Sequence, residues 1–209
     1  MSVLDLARAE VRALTPYSSA RMEALGARIM LNANESPWPS QGDTLGLNRY
    51  PDPQPGALRA RLASLYEVRE EQLLVGRGSD EAIDLLVRAF CRPGKDAIAI
   101  SPPTFGMYAV CANVQGAAVE VLPLNHDFSL DADAVLAGLS PAVKLVFVCT
   151  PNNPTGGLVP LATIERLAAG LAERALVIVD EAYMEYAGAA SATTLLDRYA
   201  NLGVLRTLS

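Results

Sequence analysis

A chain of 209 residues, 51% hydrophobic and with a mean hydropathy of +0.21, carries enough apolar material for a substantial core and excludes disorder as its main description. Charged residues make up only 19%, and 17 basic against 23 acidic side chains leave a net charge of −6, which excludes the basic footprint of a nucleic-acid or anionic-membrane binder. No apolar run approaches the roughly 18 residues of a membrane span and the charged start MSVLDLARAEVRAL is unlike a secretory signal, so a soluble cytoplasmic protein is expected, partnered by small molecules or other protein chains.

In chain order, Pro16, Pro37, Pro39, Pro51, Pro53 and Pro55 forbid long helices and predict an extended arm over residues 1–55. From Gly56, Leu58, Leu62 and Leu65 recur at helical spacing with Arg59, Arg61 and Glu67 between them, predicting an amphipathic helix. Short apolar runs then alternate with helical stretches: 73–75 before a helix over 79–90, 97–100 before a helix around Met107, 117–124 before 131–139, 144–150 before a helix from Leu161, then 175–180 and 203–208. This predicts an α/β fold of βαβ units over residues 56–209, a mostly parallel sheet with helices on both faces and strands near Leu74, Ile98, Phe147, Ile178 and Leu205. The last run reaches Ser209 where a parallel sheet would continue into a turn and helix, so the chain is expected to be interrupted there. Cys91, Cys111 and Cys149 form no CxxC pair and His126 stands alone, so buried reduced thiols are expected and no metal site.

Ligands of open α/β sheets bind beyond the carboxyl ends of the strands, and three such junctions are chemically unusual. Gly76-Arg77-Gly78-Ser79-Asp80-Glu81 opens a helix whose free amides and Ser79 hydroxyl could hold a phosphate, although from this segment alone Ser79 or Asp80 as a simple helix cap is the favoured reading. Pro151-Asn152-Asn153-Pro154-Thr155-Gly156-Gly157 is rigid enough to hold a side-chain amide in place, or forms an Asx-turn. Asp180-Glu181-Ala182-Tyr183 puts a carboxylate at the tip of a buried strand, where it needs a positive partner or strong donors, unless it is a salt-bridged or capping group. A phosphate cradle, an amide, a carboxylate and a phenol along one side of one sheet suit a ligand with a phosphate and a protonatable ring, a description that pyridoxal phosphate fits.

With these residues on the page, the chain closely resembles the histidinol-phosphate aminotransferases, within the fold-type-I pyridoxal-phosphate (PLP) enzymes. The matching segments are Leu14-Thr15-Pro16-Tyr17, Leu31-Asn32-Ala33-Asn34-Glu35, Arg49-Tyr50-Pro51, Gly78-Ser79-Asp80-Glu81, Pro103-Thr104-Phe105-Gly106-Met107-Tyr108, the Asn152-Asn153 and Asp180 segments, and Arg206-Thr207-Leu208-Ser209. The ordered set is specific for the superfamily, and the arm segments carry the narrower assignment.

The resemblance implies that Asp180 pairs with the pyridinium nitrogen, that Asn153 and Tyr183 hydrogen-bond the ring oxygen, and that Phe105, where the family often has tyrosine, stacks on the ring. Ser79 and the backbone of Gly78 to Asp80, with Thr207 and Ser209, would hold the cofactor phosphate. Tyr50 would reach the cofactor of a neighbouring subunit in a homodimer, and Tyr17 and Asn34 would lie near the substrate. The implied reaction is amino transfer between L-histidinol phosphate and 2-oxoglutarate, giving imidazole acetol phosphate and glutamate, a step of histidine biosynthesis. Residues 56–209 would be an incomplete PLP-binding large domain, because the family's Schiff-base lysine directly follows the position of Ser209 and its C-terminal small domain lies further on. Lys95 and Lys144, the two lysines present, are expected at the amino-terminal edge of the sheet, so the 209 residues alone are expected to be inactive and the native chain to continue with that lysine.

Competing readings are another fold-type-I enzyme, such as an aromatic aminotransferase or a phosphate-ester amino acid decarboxylase, and a non-catalytic fragment. A P-loop ATPase reading of the apolar run into Asp180-Glu181 fails because Lys95, in Pro93-Gly94-Lys95-Asp96, lacks the glycine-lysine loop spacing.

Overall fold

Five apolar runs form one parallel sheet in the computed structural model, which describes residues 2–15, 17, 29 and 31–209. Pro16 of the Leu14 to Tyr17 segment lies outside the described residues. The strands are β1 (Ala97–Ile100), β2 (Ala118–Val121), β3 (Val143–Cys149), β4 (Leu176–Asp180) and β5 (Leu202–Leu205), in the order β2-β1-β3-β4-β5 with every neighbouring pair parallel. The helices are α1 (Ala9–Arg12), α2 (Gly56–Tyr66), α3 (Ser79–Phe90), α4 (Met107–Gln115), α5 (Ala132–Gly138) and α6 (Leu161–Gly170). The chain divides into two units, one of Met1–Ala13 with Gly76–Ser209 and one of Leu14–Val75.

In the first unit the sheet is covered on both faces, as the near-continuous apolar runs require. Successive strand residues face opposite ways. Ile98, Leu145, Phe147, Cys149 and Ile178 therefore pack with Ile83 and Val87 of α3 and with Tyr108, Cys111 and Ala112 of α4. Their sequence neighbours Ala97, Ala99, Val146, Val148, Val177 and Val179 pack with Val135 of α5 and Ile164 and Leu167 of α6. Asp131 caps α5 by accepting from the Asp133 and Ala134 amides at 2.9 and 3.2 Å. Gly116 ends α4 at φ +74°, a left-handed conformation that glycine adopts without strain.

The strand expected near Leu74 does not form, and the fifth strand is β2 instead. Leu74 is 77% exposed. Both backbone groups of Val75 are taken by the Gln54 side chain, whose Oε1 accepts from Val75 N–H and whose Nε2 donates to Val75 C=O, each at 2.8 Å. A side-chain amide thus stands where a neighbouring strand would have been.

The second unit contains α2 and the proline-broken stretch before it, and no strand among its described residues. The helix lies where the leucine spacing predicts, but its leucine stripe is not buried: Leu58 and Leu65 are exposed and Ala63 is the buried residue. The unit offers that stripe no sheet to cover. Side-chain carboxylates fold the turns instead, with Asp43 accepting from the amides of Leu45, Gly46 and Leu47 and Glu35 accepting from Arg49 Nη1 and Tyr50 N–H at 2.9 and 2.7 Å.

Candidate active site

The chain order reverses between β1 and β3: β2 lies on one side of β1, and β3, β4 and β5 follow on the other. Such a reversal opens a crevice beyond the carboxyl ends of the two strands. The loops that leave them meet there. Asn152 accepts from the Thr104 hydroxyl at 2.9 Å and donates through Nδ2 to Pro103 C=O and Thr155 Oγ1, both at 2.8 Å. Asn152 is therefore the amide that ties the crevice together, whereas the half-buried Asn153 beside it makes no side-chain hydrogen bond among the described residues.

Asp180 ends β4 and is 2% exposed. Its Oδ2 accepts from the Tyr108 hydroxyl at 2.7 Å and its Oδ1 from Ala182 N–H at 3.2 Å. None of the ion pairs among the described residues includes it. Burial pushes its carboxyl above the ordinary range, the Tyr108 bond and the Ala182 amide oppose that, and the charges of Asp80 and Glu181 add to it. Tyr108, on α4, is fully buried, lies flat against Phe147 with ring centroids 4.6 Å apart, and meets Phe105 edge-on at 5.6 Å. Cys149, opposite Asp180 in the β3–β4 register, has its thiol pushed up chiefly by burial, while the backbone N–H of Asn153 donating to the sulfur pulls it down.

α3 runs against the strands, because its last residues lead through the turn at Arg92 to Asp96 into the start of β1. Twelve residues at about 1.5 Å each carry its first turn back to the carboxyl edge of the sheet, where the charge of Asp80 bears on Asp180. Neither Ser79 nor Asp80 is the cap. Gly78 holds that place at φ +86° with no side chain to bond the first-turn amides, and nothing within 4 Å of where a Cβ would be. Glu81, in the same turn, accepts from Arg77 N–H and Nε at 2.7 and 2.9 Å. After β5, Thr207 and Ser209 place their hydroxyls 2.8 Å apart. Tyr183 is 43% exposed and its hydroxyl makes no hydrogen bond among the described residues.

The structure thus brings Gly78, Ser79, Asp80, Phe105, Asn153, Asp180, Tyr183, Thr207 and Ser209 to the carboxyl edge of one sheet. Tyr17, Asn34 and Tyr50 belong to the second unit, where Tyr17 and Tyr50 are exposed and Asn34 has φ +52°. Sequence reasoning passed over Tyr108, Asn152 and the pair Glu181 and Arg206. For Tyr108 a signal existed: Phe105 and Tyr108 are three apart at a helix start, which puts two aromatic rings on one side of it. Among the described residues no group of three or more His, Cys, Asp or Glu is placed to hold a metal, and no helix is long and apolar enough to cross a membrane.

A five-stranded parallel sheet covered by helices on both faces is the large-domain fold of aminotransferases. The family description "Aminotransferase class I and II" matches residues 22–209, and the chain belongs to that family, whose members use pyridoxal phosphate. More narrowly, it is 55% identical over 212 aligned residues to histidinol-phosphate aminotransferase of Stenotrophomonas maltophilia and 53% identical over 213 to that of Xanthomonas euvesicatoria, covering 99% and 100% of this chain. It spans 58% and 59% of those two relatives' lengths. The fold is also that of the crystal structure of histidinol-phosphate aminotransferase from Sinorhizobium meliloti in complex with pyridoxal-5'-phosphate, with a TM-score of 0.69 and 24% identity over 77% of this chain and 44% of that one.

Proposed function

We propose that the polypeptide carrying this sequence is a PLP-dependent aminotransferase that moves an amino group between L-histidinol phosphate and 2-oxoglutarate, with imidazole acetol phosphate and glutamate on the other side of the reaction. The observation that carries the reading is Asp180, a carboxylate buried to 2% exposure with two hydrogen-bond donors and no cation among the described residues. Holding a lone anion there is unfavourable unless a cationic group completes the site. A protonated pyridine ring is such a group, and the cofactor, when bound, supplies it as an electron sink.

The residues present fit that group. Asp180 would keep the proton on the ring nitrogen. Asn153 and Tyr183, whose polar side-chain atoms have no hydrogen bonds among the described residues, would orient the ring oxygen. Phe105 would cover a ring face. The amides at Gly78 to Asp80 and the hydroxyls of Ser79, Thr207 and Ser209 would hold the phosphate, the open first turn of α3 favouring negative charge. Lys95, in the turn before β1, and Lys144, the second residue of β3, are poorly placed for covalent attachment. Lys144 is five residues from the carboxyl end of its strand, about 16 Å away at 3.3 Å per residue. Attachment is therefore assigned to a lysine outside these 209 residues, and residues 1–209 by themselves are taken to be inactive. In the same reading the arm over 1–55 reaches a second copy through Tyr50, making a homodimer, and Tyr17 and Asn34 face the substrate.

The substrate assignment is supported by the 55% identity to the Stenotrophomonas enzyme. Its test is purification of the full polypeptide, measurement of bound cofactor, and comparison of histidinol phosphate with aspartate and aromatic amino acids as donors to 2-oxoglutarate. Preference for histidinol phosphate is expected. Cofactor binding with preference for an aromatic donor, or carbon dioxide release from a phosphate-ester amino acid, would assign one of the competing fold-type-I activities.

A further inference from the structure

Among the described residues, four groups with titratable side chains surround Asp180, and none is a cation. Tyr108 faces it from α4, Cys149 from β3, Asp80 from α3, and Glu181 follows it in the chain. Among the described residues, Tyr108 is the one side chain that donates to it, at 2.7 Å, the other donor being the Ala182 amide at 3.2 Å. The phenol has little freedom to move, since its ring lies parallel to Phe147 within 12° and against the edge of Phe105. Each carboxylate oxygen can accept two hydrogen bonds. With one donor on each oxygen, the carboxylate is fixed in orientation and still has acceptor capacity for a ring N–H.

We infer that Tyr108 is a positioning residue, whose hydroxyl fixes the Asp180 carboxylate in its ionised, ring-facing form and so sets how tightly the cofactor's ring nitrogen holds its proton. The inference rests on the proposed role of Asp180. A hydrogen bond to an ionised acceptor favours the ionised form, so loss of the phenol leaves burial and the neighbouring acids to push the Asp180 proton affinity upward, away from the state that can pair with a pyridinium.

The test uses the full polypeptide, without its cofactor, and two ligands: pyridoxal phosphate and the analogue in which carbon replaces the ring nitrogen. Both carry the same aldehyde and phosphate, so their affinity ratio isolates the ring-nitrogen contact. Tyr108→Phe keeps the ring stack and removes the hydroxyl. It is expected to weaken pyridoxal phosphate by about tenfold or more, leave the analogue within about twofold, and lower the pH at which the bound ring nitrogen, followed by nitrogen NMR, loses its proton. Equal weakening of both ligands would make Tyr108 a packing residue and overturn the inference, as would no change in either. If Tyr108→Phe does not fold, a ring-fluorinated tyrosine at position 108, a stronger donor of nearly the same shape, is expected to raise the affinity ratio, and an unchanged ratio would overturn the inference. Failure of the unaltered protein to bind pyridoxal phosphate would defeat the functional reading itself. Binding in which Asp180→Asn loses the ratio and Tyr108→Phe keeps it would defeat only the role of Tyr108.

Discussion

Arg206 and Glu181 pair across the ends of β4 and β5, with Nη1 2.9 Å from Oε2 and the Glu181 side chain fully buried. Glu181 also accepts from the Ser191 hydroxyl at 2.5 Å and the Ala192 amide at 2.7 Å, and the second guanidinium nitrogen of Arg206 reaches Glu185 at 2.5 Å. Consecutive acids therefore do opposite things. Asp180 follows Ile178 toward the α3 and α4 side and has no cation, whereas Glu181 is neutralised and anchors the segment that carries Thr207 and Ser209.

Breaking a buried pair leaves an uncompensated charge, which typically costs about 3–5 kcal/mol. Arg206→Leu is accordingly expected to destabilise the protein by about that much in urea unfolding, and to weaken phosphate-bearing ligands by loosening the Thr207 to Ser209 segment. A loss below about 1 kcal/mol would mean that the pair behaves like an exposed one.

Asp180→Asn is expected to separate stability from function. Burial holds the folded Asp180 carboxyl above the value of about 3.9 that it has when unfolded. Between the two values the folded form binds the extra proton, so its contribution to stability falls as pH rises through that window and is unfavourable above it. In the cofactor-free protein, the unfolding free energy of Asp180→Asn minus that of the unaltered protein should therefore increase from about pH 4 toward neutrality. The same substitution should lower amino-transfer turnover at least about a hundredfold. A variant that loses stability at neutral pH yet keeps its specific activity would identify Asp180 as a structural group.

Lys95 and Lys144 lie at the amino-terminal edge of the sheet, across its full length from Asp180. Borohydride trapping of the full polypeptide with its cofactor, followed by peptide mapping, is expected to leave both unlabelled. Label on either lysine, or turnover by a purified polypeptide of residues 1–209 alone, would overturn the proposed site.

Tyr50 is 60% exposed in its own unit, and its backbone is held by Glu35. If it completes the site of a second copy, light scattering of the full polypeptide should give a dimer, and Tyr50→Phe should weaken cofactor binding severalfold without changing the unfolding midpoint of the cofactor-free protein. A monomer, or a variant with unchanged affinity, would remove Tyr50 from the site.

Much of the fold was legible because it rests on local period. The runs 97–100, 144–149 and 176–180 are apolar at every position or nearly so, and become strands covered on both faces. The burial of the three cysteines also followed from their unpaired spacing. The run 73–75 had the same local character and failed, because Gln54 takes the backbone of Val75 and no sequence window contains both residues.

For the candidate site, the sequence by itself determined which chemical groups the loops beyond the strands could offer: a carboxylate, amides, hydroxyls and an open helix turn. Tertiary structure alone decided their commitments. Asn152 and Asn153 are identical in type and adjacent, yet only the closing of the 150–157 loop onto Thr104 commits one and leaves the other uncommitted. Asp180 and Glu181 are likewise adjacent acids, made different by Tyr108, 72 residues away, and by Arg206, 25 away. A side chain's hydrogen-bonding capacity is a property of its residue type, but its partners and burial are properties of chain segments that meet only when the sheet has formed.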